Sequence, residues 1–391
     1  MSSSPANTAL VLSGGGAYGA FAVGIMKVLF AGQSPATNYQ PLNPGIFTGT
    51  SVGAFNAAVM ASLPAESGLE AALRLEDIWF DHIAERPGQC GNGVFRLRAD
   101  PAEYVNPNCL RLPARLAKNF ASDGLDFTTY VLSRSANFLA SSTPVKDRAI
   151  QLVNISSLVD STPYHETLHK VIKEEDIFQS PKRLMVIATN WLTGKAAYFD
   201  NSSFQGDLGI KAIMASTAIP GVFPPVSIGN DIYVDGGVVE NTPLKPAINM
   251  GATELHVISL NPDHADVQLQ AELSTADTLL RFYCEMLAGI MNQDIETARW
   301  VNAGLRAVAD YRERGVVSSS GVEDFMKVAS QLLKETGTPY KPLTVHLYSP
   351  EGNLGGDMGM LDFRLGPIIQ MIREGERVAS LHDCSESGCV L

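Results

Sequence analysis

Negative charge is missing from the start of this chain. Among residues 1–65 the only charged side chain is Lys27, and the first acid is Glu66. The segment nevertheless holds Gly14, Gly16 and Gly19 in "LVLSGGGAYGAFAVG", the G-x-G-x-x-G spacing of a dinucleotide-binding turn. That turn needs a carboxylate about 20 positions on to hold the ribose hydroxyls. None is there, so a bound dinucleotide is not expected. No stretch approaches about 18 uncharged apolar residues, which predicts no membrane span. "MSSSPANTALVLSGGG" has neither a basic n-region nor a long apolar h-region, so no signal peptide is expected. The five cysteines (Cys90, Cys109, Cys284, Cys384 and Cys389) are odd in number and lack C-x-x-C spacing. A reduced, cytoplasmic protein is the simple expectation. The ending "GCVL" resembles a prenylation box, but its cysteine is third from the end where the box needs the fourth. Residues 383–391 therefore read as a tail. A net charge of −12 argues against nucleic acid, whose phosphates call for clustered Lys and Arg.

What is present is apolar. Hydrophobic residues make up 45% of the 391 and charged residues 18%, a globular composition with ample material for a core. Leu10 to Ser13 reads as a buried strand ending in glycines, and Ala17 to Phe30 as a helix apolar nearly all round. "GIFTGTS" and Val52 to Ala61 repeat the pattern. Strand–loop–helix twice over predicts a parallel sheet with helices packed on it. Residues 86–160, with Pro87, Pro101, Pro107 and Pro113, break the rhythm and read as an insertion or cap. "RLMVIATN", "DIYVDGG", "TELHVISL" and "LTVHLYSP" read as later strands. "IKAIMAST" and Gly366 to Ser380 read as helices, and residues 261–340 as a helical segment. One domain over 8–382 is expected.

Gly49-Thr50-Ser51-Val52-Gly53 matches G-x-S-x-G. On a strand-to-helix turn this spacing thrusts a nucleophilic serine up at the helix N-terminus. The same residues could be a plain small-residue turn. The Gly14–Gly16 amides, at another helix start, suit an anion, and a serine hydrolase needs such donors for its oxyanion. No histidine follows a loop signal that demands catalysis. His256 and His346 sit within strands and read as core residues. Asp235, ending the strand "YVD" before two glycines, is the better partner for Ser51. Sites form beyond the C-terminal ends of parallel strands, and burial can raise a carboxylate until it accepts a proton.

The chain resembles the patatin-like lipid acyl hydrolases. The matching pieces are "LSGGGAYGAFAVGIMKVL", "GTSVGAFNA", "SLVDSTP", "VIATNWLTG", "MASTAIPGVFPPV", "YVDGGVVENTPL" and "MLDFRLGPIIQMI", in family order. The resemblance implies a three-layer αβα sandwich with a mostly parallel central sheet. It implies Ser51 as nucleophile, Asp235 as its partner, and an oxyanion hole around Gly14, Gly15 and Gly16. The substrates it implies are phospholipids or related acyl lipids, with no cofactor and no metal. One position departs from the family: Tyr18 stands where a basic residue often follows the glycines.

Two further features compete for attention. His165-Glu166-Thr167-Leu168-His169 spells H-E-x-x-H, which on a helix puts two imidazoles on one face for zinc. His165 falls in the first helical turn, however, and spacing offers no third ligand. A zinc peptidase is the rival expectation, and a catalytically silent lipid- or partner-binding module is another. In residues 86–118 basic groups outnumber acids, with Phe95 and Tyr104 interleaved. Arg111, Arg115 and Lys118 are candidate contacts to an anionic membrane surface, making the protein peripheral.

Overall fold

The structure is a computed structural model. Its described residues are 7–63, 67–86, 91–97, 159–260, 342–352, 354 and 359–390, with isolated residues between 286 and 324. Most of 86–160 and 261–340, including Arg111, Arg115 and Lys118, lies outside them.

In chain order the strands are β1 (Thr8–Leu12), β2 (Ile46–Thr50), β3 (Arg96–Leu97), β4 (Val159–Asp160), β5 (Arg183–Asn190), β6 (Lys195–Asp200), β7 (Val226–Ile228), β8 (Asp231–Asp235), β9 (Glu254–Ile258) and β10 (Thr344–Tyr348). The helices are α1 (Gly19–Phe30), α2 (Val52–Ala61), α3 (Gly68–Ile78), α4 (Thr162–Val171), α5 (Glu174–Phe178), α6 (Leu208–Ser216), α7 (Leu244–Asn249) and α8 (Leu365–Ser380). Every residue of β1 and β2 is buried. Strands covered on both faces belong in a parallel sheet between helical layers. β10, β9, β1, β2 and β5 pair in parallel, in that order.

The two faces can be read off β1. Leu10 and Leu12 join Phe47 and the buried sides of α1, α2, α3 and α8 in one core. Ala9 and Val11 join Ile46, Leu244 and Ala247 of α7, and Val345 and Leu347 in a second. The fold is therefore the expected αβα sandwich. Lys27, the lone charge of the first 65 residues, is the only residue of α1 not fully buried. It meets Glu76 of α3 at 2.7 Å and Glu376 of α8 at 2.5 Å. Burial pushes its pKa down, but the bonds to Glu376 and Glu76 outweigh that and raise it.

One expectation needs correction. The strand ending in Asp235 does not run with its neighbours: β8 is antiparallel to β5. β6 pairs with β5 over Met185–Asn190, so it holds the edge of β5 opposite β2. β8 pairs with Ala188–Asn190 while β6 occupies the other edge, so it continues along β2's edge past the end of β2. β2 and β8 thus approach one another end to end. Thr50 faces Ile187, and Asp235 faces Ala188, the next residue.

The segment read as a plain tail also folds back. Val390 and Val345 exchange both backbone hydrogen bonds, at 2.7 and 2.9 Å, so the chain after α8 covers the outer edge of β10.

α1 and α8 touch backbone to backbone. A Cβ on Gly24 would lie 1.9 Å from Ile372 O, and one on Gly375 2.1 Å from Phe21 O. Neither backbone can yield without parting the helices. Gly375→Ala should therefore destabilise the protein by about 1–3 kcal/mol, measured by urea unfolding. Gly366→Ala, where nothing lies near the added carbon, should change stability by less than about 0.5 kcal/mol.

Candidate active site

The turn from β2 into α2 throws Ser51 into a conformation that side chains avoid, φ 55° and ψ −128°. Such a residue stores on the order of 1–3 kcal/mol and persists only where its surroundings over-determine it. Here they do. A Cβ on Gly49 would strike Gly53 O at 2.3 Å, and one on Gly53 would strike Leu12 O at 2.3 Å. The Ser51 N–H donates to Ser216 Oγ at 2.8 Å, and that hydroxyl donates to Ile187 O at 2.5 Å. The last residue of α6 thus ties the turn to β5.

Asp235 is fully buried, and its Oδ1 accepts the Gly237 N–H at 2.7 Å. A Cβ on the next residue, Gly236, would lie 2.3 Å from Ile187 O and 2.9 Å from Thr50 Cγ2. The turn after β8 therefore rests on the end of β2, one residue before Ser51. Burial pushes the Tyr164 phenol up, and the nearby Asp235 charge adds to it. Tyr164 and Ser51 line one cleft, so the carboxylate lies close behind its wall.

A strap follows the two glycines. Thr50 Oγ1 donates to Glu240 O at 2.8 Å, and Thr48 Oγ1 to Pro243 O at 2.9 Å. Between them, Asn241 receives the Gly14 N–H at 3.1 Å through Oδ1 and at 3.3 Å through its carbonyl. One asparagine therefore couples the Asp235 turn to the glycine loop. A Cβ on Gly14 would lie 2.9 Å from Ser51 Cβ, so the loop touches the serine. Since the Gly14 N–H is engaged, the loop's open donors are Gly15 and Gly16. Neither N–H takes a partner among the described residues. Gly16, at φ 57°, has Met360 O only 2.3 Å from any Cβ it could carry, and it lines the same cleft as Ser51. Tyr18 is buried in the core; a basic side chain there would have to be buried with it.

The cleft is lined mostly by apolar side chains, among them Val52, Phe55, Ile83, Phe223 and Phe363. It takes in neither His165 nor His169. Those rings converge on the outer side of α4, with Nε2 atoms 3.2 Å apart. Asp207, a third donor that sequence spacing did not reveal, lies 3.2 Å from His169 and is shared with Lys211. His256 and His346 are core residues as expected, stacked on β9 and β10 with centroids 4.8 Å apart. Burial, then neighbouring imidazoles, lowers His346 and His382 each to about 4.

The family model described as patatin-like phospholipase matches residues 10–248. The chain belongs to the patatin-like phospholipase family. Its curated relatives include uncharacterized NTE family proteins of Mycobacterium bovis and Mycobacterium tuberculosis, 30% identical over 117 residues. These matches take in 30% of this chain and 31% of each relative, so the chain spans about a third of their length. Another M. tuberculosis member is 28% identical over 112 residues, 29% of this chain and 18% of the relative. Among solved structures, VipD from Legionella pneumophila aligns with 96% of this chain and 66% of its own, at 14% identity and a TM-score of 0.38.

In this patatin-like chain the spacing arguments single out Ser51 and Asp235 but neither Ser216 nor Asn241, which hold their turns in place. Both sit inside stretches that carry the family resemblance, "MASTAIPG" and "VVENTP". Ser216→Ala leaves the buried Ser51 N–H without its acceptor. Chemical denaturation should register a loss of about 1–3 kcal/mol, against less than about 0.5 kcal/mol for Ser227→Ala on exposed β7.

Proposed function

We propose that this patatin-like protein hydrolyses acyl esters of phospholipids or related lipids through a Ser51–Asp235 dyad. One observation carries the proposal. β8 runs head-on toward β2, so a buried carboxylate arrives beside a strained serine at the mouth of an apolar cleft. An acyl chain suits that lining, since burying it removes apolar surface from water.

Ser51 Oγ bonds to the ester carbonyl carbon while Asp235 takes its proton. The carbonyl oxygen becomes an oxyanion facing the Gly15 and Gly16 N–H groups, each such donor being worth about 3–4 kcal/mol to the transition state. The intermediate collapses, the alkoxide leaves, and Asp235 returns the proton to it. Water then attacks the acyl-enzyme, giving its proton to Asp235. Collapse of the second intermediate releases the fatty acid and restores the Ser51 hydroxyl. A carboxylate at its ordinary pKa near 4 is a weak base; enclosure of Asp235 supports its direct use without an intervening imidazole. Gly14 serves by position, with its N–H on Asn241.

Ser51→Ala and Asp235→Asn should each lower ester hydrolysis at least about 10³-fold and abolish labelling by a fluorophosphonate probe, with an unchanged far-UV circular dichroism spectrum. Persistent labelling of Ser51→Ala would remove this serine from the mechanism. A wild-type chain that turns over no ester would favour the silent binding module instead.

Arg111, Arg115 and Lys118 are proposed to hold the protein against anionic bilayers. Neutralising all three should weaken the affinity for phosphatidylserine vesicles about 100-fold in a sedimentation assay, because each near-surface charge contributes about 1 kcal/mol. Hydrolysis of a water-soluble ester should not change. Equal loss of both activities would refute the membrane role.

A further inference from the structure

The edge strand β10 and the chain after α8 bring together four soft donors far from Ser51. His346 Nδ1 lies 3.2 Å from Cys384 Sγ. His382 Nε2 lies 3.3 Å from Cys384 Sγ and 3.4 Å from Cys389 Sγ. One donor atom from each of the four residues lies within 4.8 Å of the others. We propose that His346, His382, Cys384 and Cys389 form a structural zinc site that clamps the segment after α8 onto the edge of the sheet.

The geometry fits the ion. Tetrahedral zinc with Zn–N of about 2.0–2.1 Å and Zn–S of about 2.3 Å sets its nitrogen and sulfur ligands about 3.5 Å apart. The three nitrogen–sulfur separations fall a few tenths short of that, an adjustment within side-chain rotation. Cys384 Sγ meets both ring nitrogens, and His382 Nε2 meets both sulfurs. A central cation would use all four donors at once. Two thiolates and two imidazoles select zinc over the hard, oxygen-seeking cations. A full set of four protein ligands leaves no open position for substrate, so the site is structural.

A backbone donor meets one of the two sulfurs. The Leu347 N–H points at Cys389 Sγ at 3.4 Å, as backbone donors do around metal-bound sulfur. Behind His346 lie the stacked ring of His256 and the carboxylate of Glu254, whose donor atoms fall within 4.8 Å of one another. Gly388, at φ 71°, makes the turn that brings Cys389 back, and Val390 then pairs with Val345. In sequence the signature is H-x-C-x4-C, completed by a histidine on a strand distant in the chain.

The full-length protein, purified without chelator under reducing conditions, should retain about one zinc per chain by elemental mass spectrometry. Exchange with cobalt should give the visible bands of tetrahedral coordination and a near-ultraviolet sulfur-to-cobalt band. The Cys384→Ser/Cys389→Ser double variant should lose the metal while keeping fluorophosphonate labelling. A chelator should lower the Tm of wild type but not of the variant. Wild type without zinc, carrying a Cys384–Cys389 disulfide by intact mass, would overturn the proposal. So would cobalt spectra without the sulfur band, a readout that holds even if the double variant fails to fold.

Discussion

Around Ser51 the backbone approaches itself more closely than any side chain permits, and the half of the fold that holds this serine is arranged about that approach. Glycines at 14, 49, 53 and 236 each meet a neighbour at a distance no Cβ could tolerate. They come from the glycine loop, β2, α2 and the turn after β8. Four separate pieces of chain therefore close on one small volume. The strain at Ser51 persists because those contacts, together with the Ser216 bond, leave the turn no other path. Loss of one would release the serine from its strained geometry.

The second constraint is direction. In an all-parallel sheet every strand delivers its last residue to the same rim, pointing away from it. β8 comes back from beyond the rim and stops against the end of β2, so Asp235 sits in the next row of the sheet after Thr50. In the proposed dyad that approach replaces an intervening histidine. The strap from Glu240 to Pro243 then makes the arrangement rigid. Three consecutive anchors, at Thr50, Gly14 and Thr48, tie it to the two turns it must align.

Much of this was legible in the chain. Short apolar runs gave β1, β2, β5, β9 and β10, because strands buried on both faces have few other sequences open to them. The missing carboxylate argued against a dinucleotide at the opening glycines. Strand direction was not legible, since local sequence does not distinguish a parallel from an antiparallel neighbour; Asp235 was placed in the right row for an incomplete reason. Gly14 was assigned with its two neighbours because spacing cannot tell which N–H is already taken. α3 went unassigned in the sequence, although Ser67 and Glu70 carry the capping-box spacing that the structure forms. Asp207 beside His169 depended on a tertiary contact between α4 and the start of α6.

Residues 383–391 were read as a tail because their composition is polar and short of apolar anchors. The fold gives them a task that composition does not express. β10 is an edge strand, and an unpaired edge is a template for other chains. Val390 covers part of it, Arg299 donates to Gly388 O at 2.6 Å, and the His382 ring packs against Tyr348. These contacts offset part of the entropy lost in ordering the segment from Leu381 to Val390. The donors that converge there are imidazole and thiol groups rather than additional apolar side chains. A cross-link through a metal restrains a short polar segment where there is too little surface to bury, which is how small domains without room for a core are held together. The same physical limit, too little apolar area at one edge of a large sandwich, would then account for both the polar composition that disguised the segment and the chemistry that anchors it.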